Sequence, residues 1–203
     1  MDKPEKQSTT APEFPFLIVG LGNPGREYRG NRHNVGFMAI DRLCEVFDIK
    51  IGKVQMKALI GNGLWEDRKI IVAKPQTYMN LSGNAINSLL RFYKVPVSQM
   101  IVAHDDLDLP VGTLRLRPGG GSAGQKGIAS TIDQVGTKNF PRLRIGIGRP
   151  PGQMDAASYV LQDFPKADQE ILQATLDRAV DALKVFILDG LDAAMNQYNG
   201  SIQ

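Results

Sequence analysis

The sequence lacks the residues on which many metal, redox and membrane proteins depend. Its 203 residues include one cysteine, Cys44, which excludes an intramolecular disulfide and a zinc or iron–sulfur site built from several cysteines. No apolar run approaches the roughly 18 residues that span a bilayer. Only two histidines are present, His33 and His104. What remains is an ordinary globular composition, 42% hydrophobic and 22% charged, that fits a reducing compartment.

The amino-terminal segment also lacks the apolar core of a secretory leader. It reads MDKPEKQSTTAPE, is polar and contains three acidic residues, which is unusual for secretory and organelle-targeting leaders. We therefore expect a disordered tail over residues 1–15, one folded domain over residues 16–203, and a cytosolic protein.

The net charge is only +3, but basic residues are concentrated in one segment. Residues 111–150 contain seven basic side chains and one acidic one, whereas residues 151–203 contain three basic and eight acidic ones. A concentrated basic segment is typical of proteins that bind a polyanion such as nucleic acid. A solvated surface face would give the same count, so composition leaves both interpretations open.

Hydrophobic periodicity predicts strands that alternate with helices. Strands are predicted over 16–22, 55–65, 69–75, 99–104, 113–117 and 142–148, with a tight hairpin turn at 66–68. Helices are predicted from Asn34, a plausible N-cap, to Phe47, and over 82–93, 127–135, 165–188 and 190–199. This order predicts an α/β fold: one globular domain with a mixed, twisted β-sheet flanked by helices and a helical C-terminal cover.

The first glycine cluster, Gly20–Gly25, fits the G-x-G-x-x-G pattern of dinucleotide sites after a strand. However, the helix that should begin inside the loop starts about ten residues late. The expected ribose-binding acid would be Glu45 or Asp48, which lie inside or at the end of a predicted helix. A glycine turn that lets two backbones approach closely is better supported, and dinucleotide binding remains an alternative.

The second glycine cluster, Gly119–Gly127, resembles a phosphate loop but lacks the lysine that must directly follow the second glycine of a Walker motif. Its backbone could still present N–H groups to an anion at a helix start. Arg115, Arg117 and Lys126 flank it. A plain flexible loop is an equal alternative.

Polar residues follow several predicted strands. Asp105, Asp106 and Asp108 come after a strand that ends in His104, where α/β sheets place ligand sites. A carboxylate there could orient a catalytic histidine, the three carboxylates could hold Mg²⁺, or His104 could be structural. The spacing does not choose among these. If loop residues Asn23 and Asn80 met a histidine and an acid at one sheet edge, the group could activate water and support an oxyanion.

Five segments in order resemble the bacterial-type peptidyl-tRNA hydrolase family: FLIVGLGNPGREYRGNRHNVGF, PQTYMNLSG, VAHDDLDLPVG, RPGGGSAGQKG and NFPRLRIGIGRP. The resemblance covers about residues 16–190. It implies a monomeric single α/β domain without metal or organic cofactor. It also implies hydrolysis of the ester between a peptide and the 3′ ribose of tRNA, which recycles tRNA from prematurely released peptidyl-tRNA.

The resemblance also implies roles for individual residues. His33 matches the catalytic base, Asp105 the acid that supports it, and Asn23 the asparagine beside the scissile ester. Substrate contacts are implied for Tyr28, Tyr78, Met79, Asn80 and Lys126. Contacts to tRNA phosphates are implied for Arg117 and Arg144. In this mechanism Asp105 holds the His33 ring, neutral imidazole accepts a proton from water, and Asn23 and Asn80 position the peptide carbonyl.

The chain departs from the family pattern at Gln125-Lys126, where a His-Asn pair is common and the asparagine contacts substrate. A lysine can still donate hydrogen bonds and adds charge, so the change could preserve, alter or weaken turnover. This departure motivates a second hypothesis, a noncatalytic RNA-binding relative similar to plastid splicing factors. The enzymatic hypothesis requires that the side chains of His33 and Asp105 lie within hydrogen-bond reach.

Overall fold

A computed structural model describes residues 14–202, which form eight strands and six α-helices. The strands are β1 Phe16–Gly20, β2 Lys53–Gln55, β3 Ala58–Trp65, β4 Arg68–Pro75, β5 Met100–Asp106, β6 Thr113–Arg117, β7 Arg142–Gly146 and β8 Gly200–Ser201. The α-helices are α1 Val35–Phe47, α2 Ser82–Tyr93, α3 Lys126–Val135, α4 Ala156–Val160, α5 Gln169–Asp189 and α6 Leu191–Tyr198.

The strands form one mixed sheet in the order β2-β3-β4-β1-β5-β7-β6-β8. The four central strands, β4, β1, β5 and β7, are parallel. Antiparallel strands flank them on both sides. The carboxyl ends of the central strands therefore meet at one edge of the sheet, where open α/β sheets bind ligands. This confirms the predicted single α/β domain with a mixed sheet.

Helices cover both faces of the sheet. One core joins α1 and α5 to one face, and α6 contributes Ala194 to it. The other core joins α2 and α3 to the opposite face. Helices α5 and α6 also contact β6, which confirms the predicted helical C-terminal cover.

Two glycines allow α1 to begin directly against the sheet. A Cβ atom at Gly20 of β1 would lie 2.2 Å from the carbonyl oxygen of Gly36, and one at Gly36 would lie 2.4 Å from the carbonyl oxygen of Ala103. No side chain fits at either position, so the first turn of α1 rests on β1 and β5. The close-approach interpretation of the first glycine cluster is confirmed. The contact places the residues just before α1 beside the end of β5.

Several element boundaries differ from the sequence predictions. Strand β5 continues through Asp105 and Asp106, which were expected in the loop after it. Helix α5 begins at Gln169 rather than 165, because Lys166–Asp168 form a 3₁₀ turn. The short elements β2, β8 and α4 were missed. The β2–β3 turn has positive φ at both Met56 and Lys57, residues that do not signal such a turn in sequence.

Most of the tail predicted for residues 1–15 lies outside the described residues, so its disorder stays a prediction. Within residues 14–202, no helix combines the length and apolarity required to cross a membrane.

Candidate active site

A cleft of about 910 Å³ opens at the carboxyl ends of β1, β4 and β5. Its walls include residues from the loop after β1, the loop after β4, the glycine-rich segment 119–124 and helix α4. Except for Tyr28, which lies on a 3₁₀ turn over Arg26–Tyr28, every residue predicted for the site lines the cleft. Those lining residues are Asn23, His33, Tyr78, Met79, Asn80, Asp105, Arg117, Lys126 and Arg144.

His33 and Asp105 form a hydrogen-bonded pair at the base of the cleft. His33 belongs to a 3₁₀ turn over Arg32–Asn34 that leads into α1, and Asp105 lies near the end of β5. His33 Nδ1 is 2.8 Å from Asp105 Oδ2. An ionised carboxylate only accepts hydrogen bonds, so Nδ1 carries the proton and neutral imidazole leaves the Nε2 lone pair free. No residue of the described chain bonds to Nε2.

The Asn23 side chain is held in one orientation. Its Oδ1 accepts a hydrogen bond of 2.9 Å from the backbone N–H of Met79. The Asn34 side chain in turn bonds both the N–H and the carbonyl of Asn23, each at 2.9 Å. Because the Asn23 Oδ1 bonds Met79, the Nδ2 group is the part of the side chain that can still form hydrogen bonds. Nδ2 has no partner among residues 14–202. Asn34 therefore occupies the predicted N-cap position but joins two loops instead of capping α1.

The loop after β4 forms the rim of the cleft. Met79 is buried, whereas Tyr78 is 63% exposed and Asn80 is exposed. Met79–Leu81 form a 3₁₀ turn that leads into α2. The rim therefore offers one aromatic face and one amide to a ligand entering from solvent.

Gln125 is a site residue that sequence reasoning missed. Its Nε2 donates to Asp105 Oδ1 at 3.0 Å, so both oxygens of this buried carboxylate have partners. Its Oε1 accepts from the backbone N–H of Ile128 at 2.7 Å and caps α3. The signal available in the sequence was the Gln125-Lys126 departure from the family pair and the position of Gln125 immediately before a helix.

The three carboxylates after His104 bond three different side chains. Asp105 bonds His33, Asp106 pairs with Arg144, and Asp108 pairs with Arg149. Within residues 14–202, no three His, Cys, Asp or Glu side chains are grouped as a metal site requires. The geometry therefore supports the carboxylate–histidine interpretation over the three-carboxylate magnesium interpretation.

Strands β6 and β7 place arginines on one side of the sheet and apolar residues on the other. Leu114, Leu116, Leu143 and Ile145 belong to the core beneath α5. The alternating arginines point the opposite way. Register pairs Arg115 with Arg144, and Arg144 with His104, so their side chains share a face. We call Arg115, Arg117 and Arg144 the arginine face; it borders the cleft through Arg117 and Arg144.

Arg142 shares that side of the sheet but is buried. Its guanidinium donates to the carbonyls of Gly120, Gly121 and Lys138, and it stacks on Phe140 with the guanidinium carbon 4.5 Å from the ring centre. Burial, with a smaller contribution from neighbouring Arg144, lowers the pKa of Arg142 to about 10, so it stays charged at neutral pH. Arg142 therefore fastens the glycine-rich segment to β7.

His104 is also buried, on the side of the sheet that carries the arginines. Its Nδ1 lies 2.8 Å from the carbonyl oxygen of Asp105, and a carbonyl accepts, so Nδ1 carries the proton. Nε2 has no partner among residues 14–202. Burial lowers the pKa of His104, because a charged ring would lose its hydration there. His104 is therefore a neutral structural histidine, and His33 is the histidine available to a ligand.

The family model for peptidyl-tRNA hydrolase matches residues 17–203. A chloroplastic peptidyl-tRNA hydrolase from Arabidopsis thaliana is 48% identical over 188 residues, which cover 92% of this chain and 65% of that longer protein. A peptidyl-tRNA hydrolase from Chloroflexus aggregans is 47% identical over 91% of this chain and 98% of its own length. A crystal structure of peptidyl-tRNA hydrolase from Acinetobacter baumannii superposes with a TM-score of 0.85 at 34% identity, covering 91% of this chain and 96% of that one.

One similar protein carries a different name. A chloroplastic group IIB intron splicing facilitator, CRS2-B, from Arabidopsis thaliana is 45% identical over 91% of this chain and 78% of its own length. Overall sequence similarity therefore does not by itself distinguish a peptidyl-tRNA hydrolase from a splicing facilitator. The residues of the cleft have to make that distinction.

Proposed function

This chain belongs to the peptidyl-tRNA hydrolase family. From that premise we propose that His33 is the general base that activates water for hydrolysis of the ester between peptide and tRNA. The observation that carries the proposal is the 2.8 Å contact between His33 Nδ1 and Asp105 Oδ2 at the base of the cleft. It leaves Nε2 as the one unprotonated ring nitrogen. A base of this kind contributes about 10²–10⁴-fold to a rate.

The proton follows a closed path in this mechanism. His33 Nε2 takes a proton from water as the water oxygen attacks the ester carbonyl. Asp105 stabilises the imidazolium that forms. The tetrahedral intermediate collapses by breaking the bond to the ribose 3′ oxygen, and the imidazolium returns its proton to that oxygen. The products are tRNA with a free 3′ hydroxyl and a peptide with a free carboxylic acid, which loses its proton to solvent at neutral pH.

Asn23 is suited to hold the peptide end. Its oxygen is occupied by the Met79 N–H, so the amide Nδ2 is the group left to donate to a carbonyl or an oxyanion. Asn80 on the rim supplies a second amide. Tyr78, Met79 and Lys126 line the same cleft, which supports their assignment to substrate contact. Tyr28 lies outside the lining, and its contact with substrate stays a prediction.

The arginine face is suited to the phosphates of tRNA. Arg117 is exposed, and Arg144 is held by Asp106 through its Nε, which leaves its terminal nitrogens for a ligand. Contacts to phosphate carry no base sequence information. Binding of this type fits an enzyme that accepts many tRNAs, and it weakens as salt rises.

The noncatalytic alternative draws on the similarity to the splicing facilitator. A protein that only bound RNA would have no use for a histidine and a carboxylate aligned beside a held amide. The intact arrangement of Asn23, His33 and Asp105 therefore favours hydrolysis. A monomer in the cytosol remains our prediction for its working state; one chain supplies every group of the mechanism.

The test compares peptidyl-tRNA cleavage and tRNA binding in the wild type and in His33→Ala. We expect kcat of His33→Ala to fall about 10²–10⁴-fold with binding retained. Arg91→Ala is the control, because Arg91 is exposed in the last turn of α2, at the opposite edge of the sheet from the cleft. Tight RNA binding without turnover by the wild type would establish the noncatalytic alternative. Equal turnover by His33→Ala would remove His33 from the mechanism.

A further inference from the structure

The side chain of Gln125 connects the buried Asp105 carboxylate to the start of a helix. Asp105 is 4% exposed, and its two carboxylate oxygens have one partner each, His33 on Oδ2 and Gln125 on Oδ1. The carboxylate plane is therefore fixed at both ends. Without the Gln125 contact, one oxygen of a buried carboxylate would have no hydrogen-bond partner among the described residues, and the group could rotate away from His33.

Chemistry determines which end of the Gln125 amide faces Asp105. The Ile128 backbone N–H can only donate, so it must meet the amide oxygen, at 2.7 Å. An ionised carboxylate can only accept, so it must meet the Nε2 group, at 3.0 Å. The same nitrogen also lies 3.3 Å from the sulfur of Met79, a weak acceptor. Every polar group of this amide thus has a protein partner, and none is left for substrate.

We propose that Gln125 is a positioning residue for ester hydrolysis, acting through Asp105 on His33. The inference rests on the proposed function and deepens it. As the N-cap of α3, Gln125 links the start of that helix to the orientation of the carboxylate. Lys126, the first residue of α3, projects from the same turn into the cleft. The two neighbouring residues therefore have different roles: Gln125 contacts the Asp105 carboxylate, and Lys126 lines the cleft.

The test must account for the other charged and titratable groups around this pair. Those that line the cleft besides His33 and Asp105 are Tyr78, His104, Asp106, Asp108, Arg117, Lys126, Arg142 and Arg144. Asp106 and Asp108 are paired with arginines, and buried His104 stays neutral. A Gln125 variant that adds no titratable group leaves all of these in place, so a change in its pH dependence reports the loss of the Gln125 contact.

Two substitutions separate capping from positioning. Gln125→Ser keeps an N-cap acceptor for the Ile128 N–H but is too short to reach Asp105. We expect its kcat to fall about 10-fold, the effect of losing one hydrogen bond to a charged group, with KM and thermal midpoint unchanged. Gln125→Glu keeps the length and the cap. When protonated, its carboxyl can donate to Asp105, and when ionised it repels Asp105. The kcat of Gln125→Glu relative to wild type should therefore fall as pH rises from about 5.5 to 8.

A second measurement does not depend on turnover. The proton on His33 Nδ1 gives its own NMR resonance, and with only two histidines in the chain, His33→Ala assigns it. We expect this resonance to shift or broaden in Gln125→Ser. Wild-type kcat and an unchanged resonance in Gln125→Ser would overturn the proposal, as would a loss confined to KM or one matched by a fall in the thermal midpoint. If the wild type itself cleaves no peptidyl-tRNA, the proposed function fails, while the resonance still decides whether Gln125 positions the pair.

Discussion

The base of the cleft and the arginine face lie side by side but are built in opposite ways. At the base, Met79 holds Asn23, and His33 and Gln125 both hold Asp105, through hydrogen bonds of 2.8–3.0 Å that the protein itself supplies. On the arginine face, Arg117 is exposed, and neither Arg115 nor Arg117 forms an ion pair within residues 14–202. One region is fixed before substrate arrives, whereas two of the three arginines on the other have no ion pair among the described residues.

The difference follows from what each region must do. Proton transfer from water depends on the direction of one lone pair, so the ring that carries it has to be oriented in advance. Attraction to a phosphate backbone depends mainly on charge and distance, so flexible cations suffice. Substitutions at the base should therefore change kcat, whereas substitutions on the arginine face should change binding and its response to salt.

The largest effect is expected for Asp105→Asn. The asparagine amide can donate to His33 Nδ1, which moves the ring proton to Nε2 and removes the lone pair that accepts the proton from water. We expect kcat to fall about 10²–10⁴-fold in a peptidyl-tRNA cleavage assay, with little change in tRNA binding. Asp133→Asn, an exposed position on α3, is the control for a lost carboxylate. A fall in tRNA binding equal to the fall in turnover would erase the distinction between the two regions.

Arg142 and Arg117 allow a direct comparison of a fixed arginine with an exposed one, because they are register partners on β7 and β6. Arg142 is buried against three carbonyls, whereas Arg117 is exposed. Arg142→Met should lower the free energy of unfolding by about 3 kcal/mol, since it removes three hydrogen bonds that a charged guanidinium donates to the backbone. Arg117→Met should change it by less than about 0.5 kcal/mol. Urea denaturation measures both, and similar losses would mean that the two arginines do not differ in role.

The comparison of Arg142 with Arg117 also shows what the sequence could not predict, which is the burial of one arginine and the exposure of the other. The alternation in TLRLR and RLRIG correctly predicted two strands. It could not distinguish Arg142 from Arg117, because the burial of Arg142 depends on the glycine-rich segment that folds over it. The local sequence pattern of a strand predicts which face of the sheet a side chain lies on. It does not predict which distant segment covers that face.

The same limit explains the missed residue at the site. His33, Asp105 and Asn23 were predicted together through the family resemblance, and they do meet at the carboxyl ends of β1 and β5. Gln125 was missed, because its contact with Asp105 joins residues 20 apart in sequence through the start of α3. A glutamine before a helix is also an uncommon N-cap, so its local role carried little signal.

A smaller effect is expected from His104, which lies between the two regions. Burial lowers its pKa, so below about pH 6.5 the unfolded chain binds a proton that the folded chain does not. Stability should therefore fall as pH drops below that value and be insensitive to this group above it. Each pH unit below that value lowers the stability by at most about 1.4 kcal/mol through this group. His104→Gln should lose that part of the pH dependence, and equal pH sensitivity of both proteins in urea denaturation would contradict the assignment.

The smallest effect is expected for Arg117→Gln. An exposed cation that meets one phosphate releases about one counterion, so the slope of log affinity for tRNA against log salt should become shallower by about 0.9. At about 150 mM salt we expect only a several-fold weaker affinity, with kcat unchanged. Arg91→Gln removes the same charge from an exposed position at the far edge of the sheet and should leave the slope as it is. If both variants change the slope equally, tRNA responds to net charge, and the arginine face is not its binding surface.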